Sequence, residues 1–227
     1  MIPLVFTLPG NWTSDWIIVR LLEVVESPWR FTAQGFMNPE TGEHARIAMA
    51  RAVPEVARVF ADSTDPVRPP LTDDLIEQIG DHKAIIQVTT DLDASKPLAS
   101  LRTAIRAANA IVDGGALAVQ CGNSGLVHSA DGFQALVSSV EAAGDDEDAL
   151  RRALVQVVVR YVLGASPMTL GMHTLGRPDV VLGEPMSADR AVGRMERLAL
   201  GDVPDELVED SRDLPDIVRN PHGLILG

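Results

Sequence analysis

The chain predicts an α+β fold, mixed or antiparallel sheet packed by helices, and three observations carry that prediction. A β-branched apolar run, Ala84 to Thr89, leads without padding into a helix from Pro97 to Val112, where Leu98, Leu101, Ile105, Ala108 and Val112 share one face at three- and four-residue spacing. A second apolar strand, Ala116 to Cys121, reverses through Gly122-Asn123-Ser124-Gly125 into Leu126 to Ser129, which is hairpin chemistry. The opening third has the same order of elements, β-α-β-β, so a pseudo-duplicated β-α-β-β sandwich is the expected architecture.

The elements follow in order. Leu4 to Leu8 reads as a strand ended by Pro9-Gly10, and Thr13 or Ser14 offers a cap for a helix carrying Trp16, Ile17, Leu21, Leu22 and Val25, which Pro28 stops. Trp29 to Gly35 and Ala45 to Arg51 read as strands around the turn residues Asn38 to Gly42. Ala52-Val53-Pro54 leads into a short helix. The segment Ser63 to Pro70, with three prolines, reads as an internal linker, and Leu71 to Ile79 as another short helix. Ser129 caps a helix with Phe133, Leu136, Val137 and Val140 on one side. The acidic run Gly144 to Asp148 reads as a loop and helix start, where carboxylates favour the dipole. Leu154 to Leu163, rich in valine, reads as a strand, as do Met168 to Thr174 and Val180 to Leu182. Ala188 to Leu200 is a helix capped by Ser187. Residues 1–200 therefore form one α+β domain, with sub-halves at 1–62 and 71–200. Residues 201–227 form an acidic extension with seven acids against two bases and three prolines, expected to be irregular.

Composition narrows the function classes. With 227 residues, 46% hydrophobic and 22% charged, the chain has the make-up of an ordinary globular protein, and its apolar runs are too short to span a bilayer. No basic stretch precedes the first apolar run, and Cys121 is the single cysteine, so a cytoplasmic, reducing setting is expected, with no membrane partner. A formal charge of −13 speaks against nucleic acid and suits a basic protein partner.

Six groups of residues bear on chemistry. Cys121 and His128 could act as nucleophile and base; with Gly122 to Gly125 as the turn, Cys121 opposes Leu126 and Val119 opposes His128, so the two share a face as diagonal neighbours. The plainer reading is a core face with a rim histidine. The Gly122-Asn123-Ser124-Gly125 run lacks the lysine and helix start of a phosphate loop and reads as a turn. His173, with Thr169, Thr174, Arg177 and Asp179 close in sequence, is the other candidate: a polar binding pocket, or a glycine-bent loop held by a local ion pair. Asp91 and Asp93 follow the central strand and are expected to start a loop and help cap the helix near Ser95. His44, His82 and His222 have no partner at metal-ligand spacing, so neither a metal nor another cofactor is expected. Trp12 and Trp16 read as core or interface.

Three landmarks, Asp81-His82-Lys83-Ala84-Ile85-Ile86, the segment Cys121 to Ser129, and Thr169-Leu170-Gly171-Met172 running to Gly176-Arg177-Pro178-Asp179, together resemble an uncharacterised bacterial family known only as domain of unknown function 4261. The last is the most specific, a Thr-x-Gly-Met followed by Gly-x-Pro-acid. The likeness spans about residues 1 to 200 and implies a cytosolic bacterial α+β protein; it carries over no catalytic set, and association with bacterial conflict systems implies an immunity or protein-binding role.

The expectation from these readings leans away from an enzyme, toward a protein-binding or immunity-like module with an acidic surface. The alternatives are a small hydrolase using Cys121 with His128 or a pocket near His173, and a homo-oligomer, such as a homodimer, joined through a sheet edge or the Trp12 and Trp16 patch.

Overall fold

The structure is a computed structural model that describes residues 2–32, 35–63, 65–182 and 187–200. The acidic extension and the Trp16 side chain lie outside the described residues. What is described is α+β: a seven-stranded antiparallel sheet with helices on its two faces, and a separate two-stranded ribbon.

The first strand is longer than expected: β1 (Ile2–Gly10) includes Pro9-Gly10, which pair with Ile85 and Ala84, and α1 (Asp15–Val24) follows. The expected strand over Trp29 to Gly35 is present as two short pieces, β2 (Arg30–Thr32) and β3 (Gly35–Met37), paired as a hairpin. β3 then turns through Asn38 to Gly42 into β4 (His44–Arg51). After α2 (Val56–Asp62) and α3 (Asp73–Gly80) come β5 (Ala84–Leu92), α4 (Pro97–Asp113), β6 (Ala118–Cys121) and β7 (Leu126–Ser129). The strand order is β2-β3-β4-β5-β1-β6-β7.

That order makes the repetition explicit. β1 and β4 flank β5, and β5 and β6 flank β1, so β1-α1-β4 and β5-α4-β6 are two split β-α-β units, each holding the other's first strand between its own two. The repeated β-α-β-β units interlock within one sheet, so segments 1–62 and 71–200 share a core and are not separate bodies.

Alternation along β5 explains why helices cover both faces. Ala84, Ile86 and Val88 join Leu4, Phe6 and Leu8 of β1 and Val119, Cys121 and Leu126 of the β6-β7 hairpin in one apolar cluster with Leu101, Ile105 and Ile111 of α4. Ile85, Ala118 and Val127 point the other way, onto Val56, Phe60 and Ile79 of α2 and α3. Each fully buried isoleucine or leucine contributes about 1.5–3 kcal/mol relative to exposure. The α4 terminus is tied to β1: Trp12 Nε1 donates to the Gly114 carbonyl at 2.7 Å, and its ring covers Gly10 so closely that a Cβ there would lie 2.4 Å from the ring. Trp12 is core, as one of its two readings held.

Two expectations fail in the last third. Leu154 to Leu163 is not a strand: α6 (Glu147–Val158) runs through it, after α5 (Ala130–Ala142), and only Arg160–Val162 forms β8. The Asp146 carboxylate caps α6, accepting from Asp148 and Ala149 amides, and Leu150, Leu154, Val157 and Val158 recur at helical spacing on its buried side. Cap and packing outweigh the modest β preference of valine. Nor does the strand from Met168 continue to Thr174. β9 (Met168–Leu170) pairs with β8 and stops at Gly171 (φ +101°), after which Met172–Leu175 is a turn of 3-10 helix closed by Gly176 (φ +74°). Val181 bridges back to Met168, and α7 (Ala188–Leu200) follows, burying Ala191, Met195 and Leu198.

Candidate functional site

The hairpin pairs in the register its turn dictates: Cys121 opposes Leu126 and Val119 opposes His128. Gly125 (φ +72°) and Ser124 donate their amides to the Cys121 carbonyl, while Asn123 leaves the turn to hold β1, accepting from Val5 N and donating to Pro3 O. The turn is thus scaffolding for the sheet. Cys121 is 2% exposed, and burial pushes its thiol pKa up despite nearby polar groups of Ser124 and Asn123. His128 Nε2 meets the Val157 carbonyl at 2.9 Å, so that nitrogen carries the proton and donates; burial lowers the imidazole pKa to about 4. A neutral thiol faces a neutral imidazole whose N–H points elsewhere, which is not an activated nucleophile.

Around His173 the polar groups close on one another. Asp179, 7% exposed, accepts the Met172 amide at 2.8 Å and the Thr169 hydroxyl at 3.4 Å, and its second oxygen lies 3.5 Å from His173 Nδ1. The Thr169 hydroxyl accepts from Val180 N, Thr174 donates to Gly171 O, and the Arg177 amide donates to Met172 O. Gly171 is there because a Cβ would stand 2.5 Å from Val158 O and 2.9 Å from the Ser124 Cβ. Of the candidate binding residues Thr169, His173, Arg177 and Asp179, the first, second and fourth side chains meet, and Arg177 joins through its amide, in a braced turn linking β9 to α6 and the hairpin.

Asp91 forms a bidentate pair with Arg46 across β4 and β5, at 2.8 Å. Asp93 accepts from Ser95 ahead of α4, whose cap position is Lys96.

One open feature among the described residues is a cleft of about 590 Å³ between α3, the edge strand β7 and the start of α5. Pro69, Pro70, Leu71, Leu75, Val127 and Leu136 supply apolar walls, and His128, Ser129, Asp131, Gln156 and Arg68 supply polar ones. The volume and the mixture are those of a ligand pocket. The expected linker from Ser63 to Pro70 builds one side of it and is firmly docked. Arg68 donates to the Val155 and Gln156 carbonyls at the end of α6, pairs with Asp65 at 2.9 Å, and lies over the Tyr161 ring. Asp65 accepts from Tyr161 N, and Ser63 Oγ donates to Gly125 O. Arg68 and His128 together satisfy the last carbonyls of α6, where cationic or donor side chains are favoured.

Of the candidate catalytic and binding residues read from sequence, His128 alone lines this cleft. Arg68, Asp131 and Gln156 were missed; the acid-base spacing of Asp65 and Arg68 within a proline-rich stretch was the one available signal. Among the described residues, no group of three or more His, Cys, Asp or Glu is placed to hold a metal, and no helix is long and apolar enough to cross a membrane.

Fold and site define an α+β protein of interlocked split β-α-β units with a ligand-sized cleft beside its outer hairpin. The chain matches no family model, no curated protein and no solved structure.

Proposed function

We propose that this protein is a non-enzymatic binding module, adaptor- or immunity-like, that docks a basic protein partner on the acidic face around α3 and the adjoining cleft. The observation that carries this reading is the charge layout of α3. Thr72 caps the helix and Ile79 is buried beneath it, while Asp73, Asp74, Glu77 and, just beyond, Asp81 are exposed and form no ion pair among the described residues. Asp131 stands exposed across the cleft. Uncompensated carboxylates on a rigid helix steer a cationic partner and accelerate encounter, at a salt-dependent rate. The chain's −13 charge reinforces the same field, and the resemblance to an uncharacterised bacterial family supports a bacterial setting.

Capture from host lysate at low salt, followed by mass spectrometry, tests it. The expected result is a basic protein retained by the wild type and lost on raising salt or on D73K/D74K/E77K. A partner held equally by that triple variant, or none at all, overturns it.

A homodimer is favoured by a different observation. β2 is the edge strand opposite β7, with Phe31 40% exposed on it and Val24 76% exposed at the end of the neighbouring α1. Sedimentation of the wild type against F31D across a range of concentrations separates the two.

A further inference from the structure

The cleft contains one buried polar atom with nothing to do. His128 is 7% exposed, its Nε2–H is engaged by Val157, and Nδ1 has no hydrogen-bond partner. Nδ1 is not sealed from solvent, and His128 lines the cleft. Two further acceptors share that cleft without a partner among the described residues: the Asp131 carboxylate and the Gln156 carboxamide oxygen.

The competing expectation is an anion, because α3 and α5 both begin at the cleft and Arg68 lines it. The geometry argues against it. One first-turn amide of each helix is already capped, Leu75 N by Thr72 and Gly132 N by Ser129, and carboxylates in each first turn, Asp73, Asp74 and Asp131, offset the helix dipoles. Arg68 is neutralised by Asp65 and directs its other donors to backbone carbonyls. What remains in the cleft is acceptor capacity and negative charge beside proline and leucine walls.

We infer that this cleft is a guanidinium site: it takes an arginine side chain, the apolar stem against Pro69, Pro70, Leu71 and Leu75, and the planar N–H fork on His128 Nδ1, Gln156 Oε1 and the Asp131 carboxylate. Guanidinium suits it better than ammonium because it has five donors in a rigid plane, is more weakly hydrated, and stays charged when partly buried. The inference rests on the docking reading above and names the anchor residue the partner would insert.

The test is titration of the full chain with N-acetyl-arginine N-methylamide, followed by two-dimensional NMR, including the nitrogen resonances of the His128 ring. Saturable binding with Kd of about 1 mM is expected of a single anchor side chain. A shift of the Nδ1 resonance should accompany it. The citrulline analogue, of the same shape without charge, should bind at least about tenfold more weakly, and D131N should weaken the arginine probe about tenfold while leaving the citrulline probe unchanged. Because H128Q also removes the bond to Val157, Q156A serves as the second variant, with a loss of about threefold. No saturable shift at high millimolar probe, equal affinity for citrulline, or tighter binding of the N-acetyl-glutamate analogue overturns the site. If the probe fails while a basic partner is still captured through α3, the anchor is wrong and the docking reading stands. If the probe binds and no partner exists, the site stands as a receptor for a free guanidino compound and the docking reading falls.

Discussion

His128, inside β7, and Asp179, in the loop after the 3-10 turn, are both buried polar residues, and they have opposite fates. Asp179 sits in a closed circuit: Met172 N, Thr169 Oγ1 and His173 converge on it, and Gly171 and Gly176 bend the chain so that they can. His128 makes one bond and leaves one nitrogen facing a cleft. The lesson is that a cluster of polar residues in sequence is a poor guide to function, because residues close in sequence satisfy one another. Capacity left over for a ligand appears where segments far apart meet, as 68–72, 127–136 and Gln156 do here.

The sharpest way to break this contrast is G171A. The new Cβ enters a left-handed backbone conformation and collides with Val158 O and Ser124, so urea unfolding should show a loss of about 3–5 kcal/mol. G42A, at φ +74° with nothing within 4 Å, should cost about 1 kcal/mol. Equal costs would mean the Asp179 turn is not locked.

Next is the pH dependence carried by His128. Its folded pKa of about 4 lies below the unfolded value near 6.5, so the unfolded chain binds the proton first. The stabilisation from keeping it neutral is complete above pH 6.5, declines as pH falls, and is gone below 4. Unfolding curves at pH 7.5 and pH 4 should therefore differ by about 3 kcal/mol more in the wild type than in H128Q.

D179A leaves the Met172 amide buried without this acceptor and should cost about 2 kcal/mol, whereas H173A, removing a 3.5 Å contact from a side chain one-third exposed, should cost under about 0.5 kcal/mol. Equal losses would shift the weight of the turn onto the imidazole. C121A should cost about 1 kcal/mol for a thiol acting as core filler. Iodoacetamide should modify Cys121 slowly in the native protein and quickly in denaturant; fast native labelling would reopen the nucleophile reading.

The hairpin register was legible because its turn glycines and the alternation of Val119, Cys121 and Leu126 leave one solution. The α4 stripe was legible for the same reason of period. α6 was not, because Val155, Val157, Val158 and Val159 look like a strand when burial is ignored, although the Asp146 cap was there to read. The turn at Gly171 was visible as a bend, but whether glycine ends a strand or bulges it depends on Val158 and Ser124, which only the folded chain brings near. The cleft was illegible because Pro69 and Pro70 look like a linker until Arg68 is seen anchored to the end of α6.

The place of β1 in the sheet has a consequence for how the molecule is made. Its strand partners are β5 and β6, both far downstream, and the Asn123 side chain that holds Val5 lies 118 positions away. During synthesis the apolar first strand stays without its full set of partners, β5 on one side and β6 with Asn123 on the other, until the hairpin turn has emerged from the ribosome. At about 5–20 residues per second that is on the order of 6–25 seconds of exposure. Loop closure over such a distance also makes refolding slow for the size of the chain. Nascent-chain arrest before and after Asn123, read by protease resistance, should show protection arriving in one step.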